Sequence, residues 1–143
     1  MSKPANHACF EAATADLLGR LYEAFPAPLK IHYETAFKEA SLIGQMPDHC
    51  ATAFSGRTSL YGATVEFLMR EGIVHASKTD SFNAEGLVLT SKGFVLLQQP
   101  VPDSNQKDGV KTLGDAFKEL GGLIYGSLVT HAMDYFWQKI TGT

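Results

Sequence analysis

The sequence has few cysteines, few charges and no long apolar run, and each shortage excludes a class of protein. Its two cysteines, Cys9 and Cys50, are too few for a disulfide-stabilised scaffold, and we interpret them as reduced thiols. The longest weakly polar run, Leu120–Val129, includes three glycines, and it is far shorter than the roughly 20 residues of a membrane span. The N-terminus lacks the apolar core of a signal peptide. We therefore expect a cytoplasmic protein with no membrane segment.

Composition favours a packed globular chain. Hydrophobic residues make up 45% and charged residues 19% of the 143 residues, which is typical of a chain with a real core and not of a disordered one. The net charge of −3 excludes a general nucleic-acid coat protein, which would be strongly basic. A specific DNA-binding protein stays compatible, because a local basic face can coexist with an acidic body.

Catalytic motifs are also missing. The sequence has no GxSxG element, no phosphate-binding glycine loop and no dinucleotide fingerprint. His49 precedes Cys50 directly, but side chains at adjacent helical positions point apart, so the two do not form a dyad. We expect no catalytic residues and no enzymatic activity.

Metal ligands are present without the right spacing. His7 lies two residues before Cys9, and His49 lies next to Cys50, but neither pair has the CxxC or HxxxH spacing of a tetrahedral site. A four-ligand site would require the N-terminus to fold onto the second helix. We therefore expect surface histidines and small buried cysteines, with no metal and no cofactor.

The first half of the chain is predicted to form a series of helices with one short extended segment. Apolar residues at helical spacing predict a helix over 8–25, which the prolines at 26 and 28 end. An extended segment at 29–31 and a short helix at 33–40 follow. A further helix is predicted over 47–54, where a proline and an acid occupy the first turn.

The stretch from 59 to 99 is the most informative part of the sequence. It predicts a helix over about 58–71, a helix stop at Gly72, and two short strands at 73–76 and 87–89 separated by a polar turn. Thr90 or Ser91 then begins another short helix.

This order of elements resembles the second half of a winged helix-turn-helix domain. The motifs that carry the resemblance are FLMREGIV, where an acidic-Gly-apolar-apolar sequence ends the helix, and LVLTSKGFVLL, where Leu-Thr-x-x-Gly ends the second wing strand. The resemblance implies a mostly helical α+β fold, with a winged-helix domain over 1–102, a recognition helix over about 58–71 and a wing over about 73–90. Residues 103–143 are then a linker and a C-terminal helical segment.

Winged-helix domains usually bind double-stranded DNA, so the resemblance implies a homodimeric transcriptional regulator. The recognition helix of such domains lies in the major groove, and its N-terminal residues reach base edges. Arg57 is placed to bind a guanine or a phosphate, and Gly62 permits close approach. The full set of predicted DNA contacts is Arg57, Thr58, Ser59, Gly62, Lys78 and Asn83.

The charge of the predicted recognition face supports an alternative. Only three basic residues, Arg57, Arg70 and Lys78, lie between positions 57 and 78, against Glu66 and Glu71. Affinity for DNA grows with the number of phosphates neutralised, and three cations are few. The alternative is a winged-helix protein-interaction module that binds no nucleic acid.

The C-terminal segment is predicted to form one long helix or two short ones. Its apolar residues recur at spacings of three and four, and Gly122 and Gly126 would permit close helix crossing. We expect homodimerisation through this segment, because two-fold operators are read by two-fold dimers. The alternative is that the segment packs on its own domain. A set of aromatic residues has two interpretations: ordinary core and interface aromatics, which we favour, or the lining of a ligand pocket between the winged domain and the C-terminal helix. Its members are Tyr22, Phe25, Tyr33, Phe37, Tyr135, Phe136 and Trp137.

Overall fold

The computed structural model describes residues 5–42, 46, 50, 57–101, 112–118 and 127–142. Within these residues the fold is α+β, with a small antiparallel sheet of four strands among the helices. The helices are α1 Ala5–Ala24, α2 Tyr33–Leu42, α3 Arg57–Arg70, α4 Ser91–Leu97, α5 Leu113–Lys118 and α6 Ser127–Thr141. The strands are β1 Leu29–His32, β2 Val74–His75, β3 Lys78–Thr79 and β4 Asn83–Leu89. None of the helices described is both long and apolar enough to cross a bilayer.

Helix α1 lies at the centre of the core. It packs against α3 on one side and α5 on another. Residues around much of its circumference are therefore buried, and not only the single apolar face that the sequence predicts. Leu17, Leu18 and Leu21 are buried, as predicted, but so are the polar side chains of Thr14 and Asp16. A buried polar side chain needs a hydrogen-bond partner. Thr14 donates to the carbonyl of residue 10, and the partners of Asp16 lie on α3 and one turn along α1.

Strand β4 is the middle strand of the sheet. It pairs antiparallel with β1 on one edge, and with β2 and β3 on the other. Ala84, Leu87 and Leu89 on β4 are buried, which directs one face of the sheet toward α1 and α3. The prediction of a polar turn alone between the two strands is wrong, because Lys78 and Thr79 form β3 and pair with Glu85 and Ala84.

The two motifs behind the winged-helix resemblance meet at one junction. Gly72 ends α3 with a φ of 76°, a backbone conformation that favours glycine. The Thr90 hydroxyl donates to the Gly72 carbonyl at 2.6 Å, and its oxygen accepts from the Gly93 amide as the N-cap of α4. A Cβ at Gly93 would lie 2.1 Å from the Ile73 carbonyl oxygen, so only glycine lets α4 pack this closely on the end of α3.

The described part of the C-terminal segment packs on its own domain. It forms two helices, α5 and α6, as one of the two predicted alternatives has it. Phe117 on α5 and Phe136 on α6 are buried against each other, with ring centroids 6.0 Å apart. Trp137 Nε1 donates to Glu11 Oε2 at 3.0 Å and so joins α6 to α1. Gly122 and Gly126, predicted to permit helix crossing, lie outside the described residues.

The interpretation of both cysteines as reduced thiols is wrong for this structure. Cys9 and Cys50 form a disulfide with Cα atoms 5.6 Å apart, and both side chains are fully buried. The bond joins α1 to a helical residue in the region where a helix over 47–54 was predicted, and the rest of that prediction lies outside the described residues. Reduced thiols therefore do not support the expected cytoplasmic location.

Candidate functional site

An open groove separates the exposed side of α3 from the hairpin formed by β3 and β4. Its volume is about 520 Å³. One wall is α3 and the other is the hairpin turn, while the side chain at the start of α2 reaches between them. The lining residues are Tyr33, Gly62, Ala63, Glu66, Thr79, Asp80 and Ser81.

Three of the predicted DNA contacts occupy the first turn of α3. The backbone of Arg57, Thr58 and Ser59 is helical, so α3 begins one residue before the predicted recognition helix. Their side chains lie outside the described part of the chain. Their role as DNA contacts stays a prediction.

The other three predicted contacts surround the groove in different ways. Gly62 lines it, and a Cβ at this position would lie 3.4 Å from a ring carbon of Tyr33. Lys78 is exposed on β3, where it pairs across the hairpin with Glu85. Asn83 is half-buried, and its Oδ1 atom is buried without a hydrogen-bond partner among the described residues. Of the three, only Lys78 offers an exposed charge.

Asp80 holds the hairpin turn in shape. Its Oδ1 atom accepts hydrogen bonds from the backbone amides of Phe82 and Asn83, both at 2.8 Å. These two hydrogen bonds, helped by the nearby charge of Lys78, lower the pKa of Asp80 below its ordinary value. Asp80 is therefore ionised at neutral pH, and its negative charge lies at the edge of the groove.

Tyr33 is the buried member of the groove. Its side chain is only 1% exposed, yet its hydroxyl has no hydrogen-bond partner within the described part of the chain. Burial, followed by the negative charges of Asp80 and Glu66, raises the pKa of Tyr33 to about 12. The phenol and the two acids line the same groove.

The groove therefore has acidic and neutral groups where the DNA hypothesis needs basic ones. Glu66 is exposed and, within the described residues, takes part in no ion pair. Two carboxylates repel a phosphate and attract a cation. A phenol that stays protonated at neutral pH can donate one hydrogen bond and accept others.

The cysteines considered as metal ligands form a disulfide instead. No group of three histidine, cysteine or acidic side chains converges in the part of the chain that the structure describes. The sulfur atoms of Cys9 and Cys50 are bonded to each other, so they offer no thiolate to a metal. His7 and His49 have no described side chain.

Most of the aromatic residues proposed to line a ligand pocket contact other aromatic rings of the chain instead. The ring of Phe94 stacks on those of Phe25 and Tyr22, at centroid distances of 4.0 and 5.9 Å. Trp137 contacts Phe10 and Phe136. These contacts are those of a core, and Tyr33 is the member of the predicted set that lines the groove.

Comparisons of the chain with protein-family models, with curated proteins and with solved structures gave no match.

Proposed function

We propose that this chain is a winged-helix interaction module and that its α3–wing face binds a protein partner. Here the wing is the β2–β4 segment, residues 74–89. The winged-helix assignment is supported by the order of α3, the wing and α4, and by the Thr90–Gly93 junction at which both motifs meet. The choice of a protein partner rests on one observation: Glu66 on α3 and Asp80 on the hairpin turn, both acidic, line the same groove.

The acidic residues of the groove lie where a DNA backbone would approach α3. When a recognition helix enters the major groove, the flanking phosphates approach the surface beside that helix. On this chain that surface carries Glu66 and Asp80, and the like charges repel. A protein surface with basic residues has the complementary charge.

A DNA titration tests the proposal directly. We expect no binding of a fluorescein-labelled random-sequence duplex in an anisotropy titration at about 50 mM salt. Binding that weakens steeply between about 50 and 200 mM salt would overturn the proposal, since that dependence reports phosphate contacts.

Site-specific crosslinking tests the partner. A photoreactive amino acid at Ala63, which is exposed beside the groove, should give a covalent adduct with a protein of the source cells. The same amino acid at Glu23, exposed on α1 and not part of the groove, is the matched control. Adducts of equal yield from both positions would argue against a specific face.

The second candidate is the homodimeric DNA-binding regulator that the resemblance implies. Two observations favour it: Lys78 is exposed on the wing, and α3 begins at Arg57. This candidate also requires a dimer. Sedimentation velocity would then give twice the chain mass of 15.5 kDa, and a monomer mass would remove the two-fold arrangement.

A further inference from the structure

We infer that the α3–wing groove is a binding site for an organic cation, with an ammonium or guanidinium group held by Glu66, Asp80 and Tyr33. The inference shares its face with the proposed function and deepens it, because the cation is either a basic side chain of the partner or a free amine. It depends on three independent features of the groove: an unpartnered phenol, two negative charges and an open space between them.

The phenol is the feature that points to a ligand. Buried polar side chains in proteins are nearly always hydrogen-bonded. Tyr33 is 1% exposed and lines the groove, but its hydroxyl has no partner among the residues described. Among the described residues Asn83 Oδ1, and not the Tyr33 oxygen, is the fully buried side-chain atom without a partner, so the phenol oxygen keeps contact with the open groove, where a ligand donor would replace water.

The two carboxylates set the sign of the ligand's charge. Asp80 is held by two backbone amides through Oδ1, so the direction of its carboxylate is fixed before a ligand arrives. Glu66 lies on the opposite wall, and no basic side chain of the described residues pairs with it. An ammonium has three N–H donors and no acceptor, which matches two carboxylates and one phenol oxygen.

The space favours an organic cation over a metal ion. The groove is open and measures about 520 Å³. Calcium takes six to eight oxygen ligands at short distance, whereas no third carboxylate joins Glu66 and Asp80 in the described part of the chain. Gly62 keeps the wall free of a side chain, so an aliphatic stem can lie along α3.

Amide NMR of the full chain tests the inference. The probes are 1,5-diaminopentane, acetyl-Gly-Lys-Gly-amide, the same peptide with norleucine in place of lysine, and calcium chloride. The two amines should shift the amide signals of Gly62, Ala63 and Ser81 saturably, and the norleucine peptide should not. Stronger binding of the diamine identifies a free amine as the ligand, and stronger binding of the lysine peptide identifies a partner's side chain.

Variants connect the binding to the named groups. Glu66→Gln and Tyr33→Phe should each weaken amine binding about fivefold. Asp80→Asn should do the same while it keeps the Oδ1 acceptor for the turn. Glu23→Gln removes one negative charge outside the groove and should leave the affinity within about twofold.

Several results would overturn the inference. They are the absence of saturable shifts up to about 20 mM amine, equal binding of the norleucine peptide, binding of calcium alone, and unchanged affinity in all three groove variants. The duplex titration contains no amine, so the two proposals fail separately. Amine shifts together with salt-sensitive DNA binding would retain the cation site and reject the protein-interaction function.

Discussion

The hydroxyl of Tyr61 donates a hydrogen bond to Asp16 Oδ2 inside the core and so joins α3 to α1. The other carboxylate oxygen, Oδ1, accepts from Arg20 Nε at 2.8 Å, and Arg20 reaches Glu39 on α2 at 2.9 Å. Burial, followed by the charge of Asp16, raises the pKa of Tyr61 well above its ordinary value. This network connects the three helices that position the α3 wall of the groove.

Removing the Tyr61 hydroxyl should destabilise the fold. Tyr61→Phe leaves the buried Asp16 carboxylate without one hydrogen bond, and bonds to charged groups contribute about 1.5–3 kcal/mol. Urea denaturation measures the loss. Tyr22→Phe is the control, because the Tyr22 hydroxyl accepts only a long contact of 3.5 Å from Thr112, and it should cost less than about 0.5 kcal/mol. Equal losses from both variants would deny Asp16 this role.

Reduction should weaken the fold substantially. Cys9 and Cys50 are 41 residues apart, and in the chain-entropy model a cross-link of that span stabilises by about 4 kcal/mol. Thiol titration of denatured protein should find no free thiol before reduction and two after it. The double variant Cys9→Ser with Cys50→Ser should match the reduced protein and should not respond to dithiothreitol. Two free thiols in protein prepared under oxidising conditions would contradict the pairing.

A methyl group at Gly93 should disrupt the junction between α3 and α4. The added Cβ would lie 2.1 Å from the Ile73 carbonyl oxygen, so the backbone of α4 must move, and overpacking of this kind costs about 1–3 kcal/mol. Thermal denaturation of Gly93→Ala measures it. Ser91→Ala, at an exposed position of the same helix, is the matched control and should change stability little. A stable Gly93→Ala variant would mean that α4 is not packed so closely.

The phenol of Tyr33 should ionise late and report on Glu66. Its pKa is raised to about 12, so the stabilisation linked to its proton is complete below about pH 10 and is lost as the pH rises toward 12. Glu66→Gln removes a negative charge and should lower the pKa of Tyr33, as measured by NMR of the ring carbon that bears the hydroxyl. Glu23→Gln should leave it unchanged. A Tyr33 pKa near 10 in the wild type would place the phenol outside the acidic groove.

If the DNA-binding candidate is correct, Arg57 is its most informative residue. Arg57→Ala should then weaken specific binding by about 1–3 kcal/mol, because a bidentate contact to guanine is lost. Anisotropy titrations at several salt concentrations separate this base contact from a phosphate contact, which would mainly change the salt slope. Unchanged affinity at every salt concentration would remove Arg57 from the interface.

Much of the fold could be predicted because its signals are local. The ends of α1, β1, α2 and α3 lie within a few residues of the prediction, since prolines, glycines and apolar spacing act over one or two turns. Strand β3 was missed because it is only two exposed residues long and has no apolar alternation. Thr90 was predicted as a helix cap, but its bond back to Gly72 spans 18 residues and was not visible in the sequence.

The candidate site was less predictable than the fold. The sequence named Gly62 and Glu66 on the outer face of α3, because apolar positions such as Val65 define the opposite face. It placed Tyr33 among the aromatic residues of a ligand pocket or of the core, and it gave no role to Asp80. These side chains meet in the groove only because α2 and the hairpin both pack beside α3.

The sequence by itself determined, to within a few residues, the ends of α1, β1, α2 and α3, that an apolar core forms, and that the helix ending at Gly72 is followed by a hairpin. Tertiary structure alone decided the pairing of Cys9 with Cys50 and the meeting of Tyr33, Glu66 and Asp80. The physical reason is the distance along the chain over which each interaction acts. Caps, breakers and periodicity depend on neighbours within about four residues, whereas a disulfide or a charged groove depends on which distant surfaces hydrophobic packing brings together.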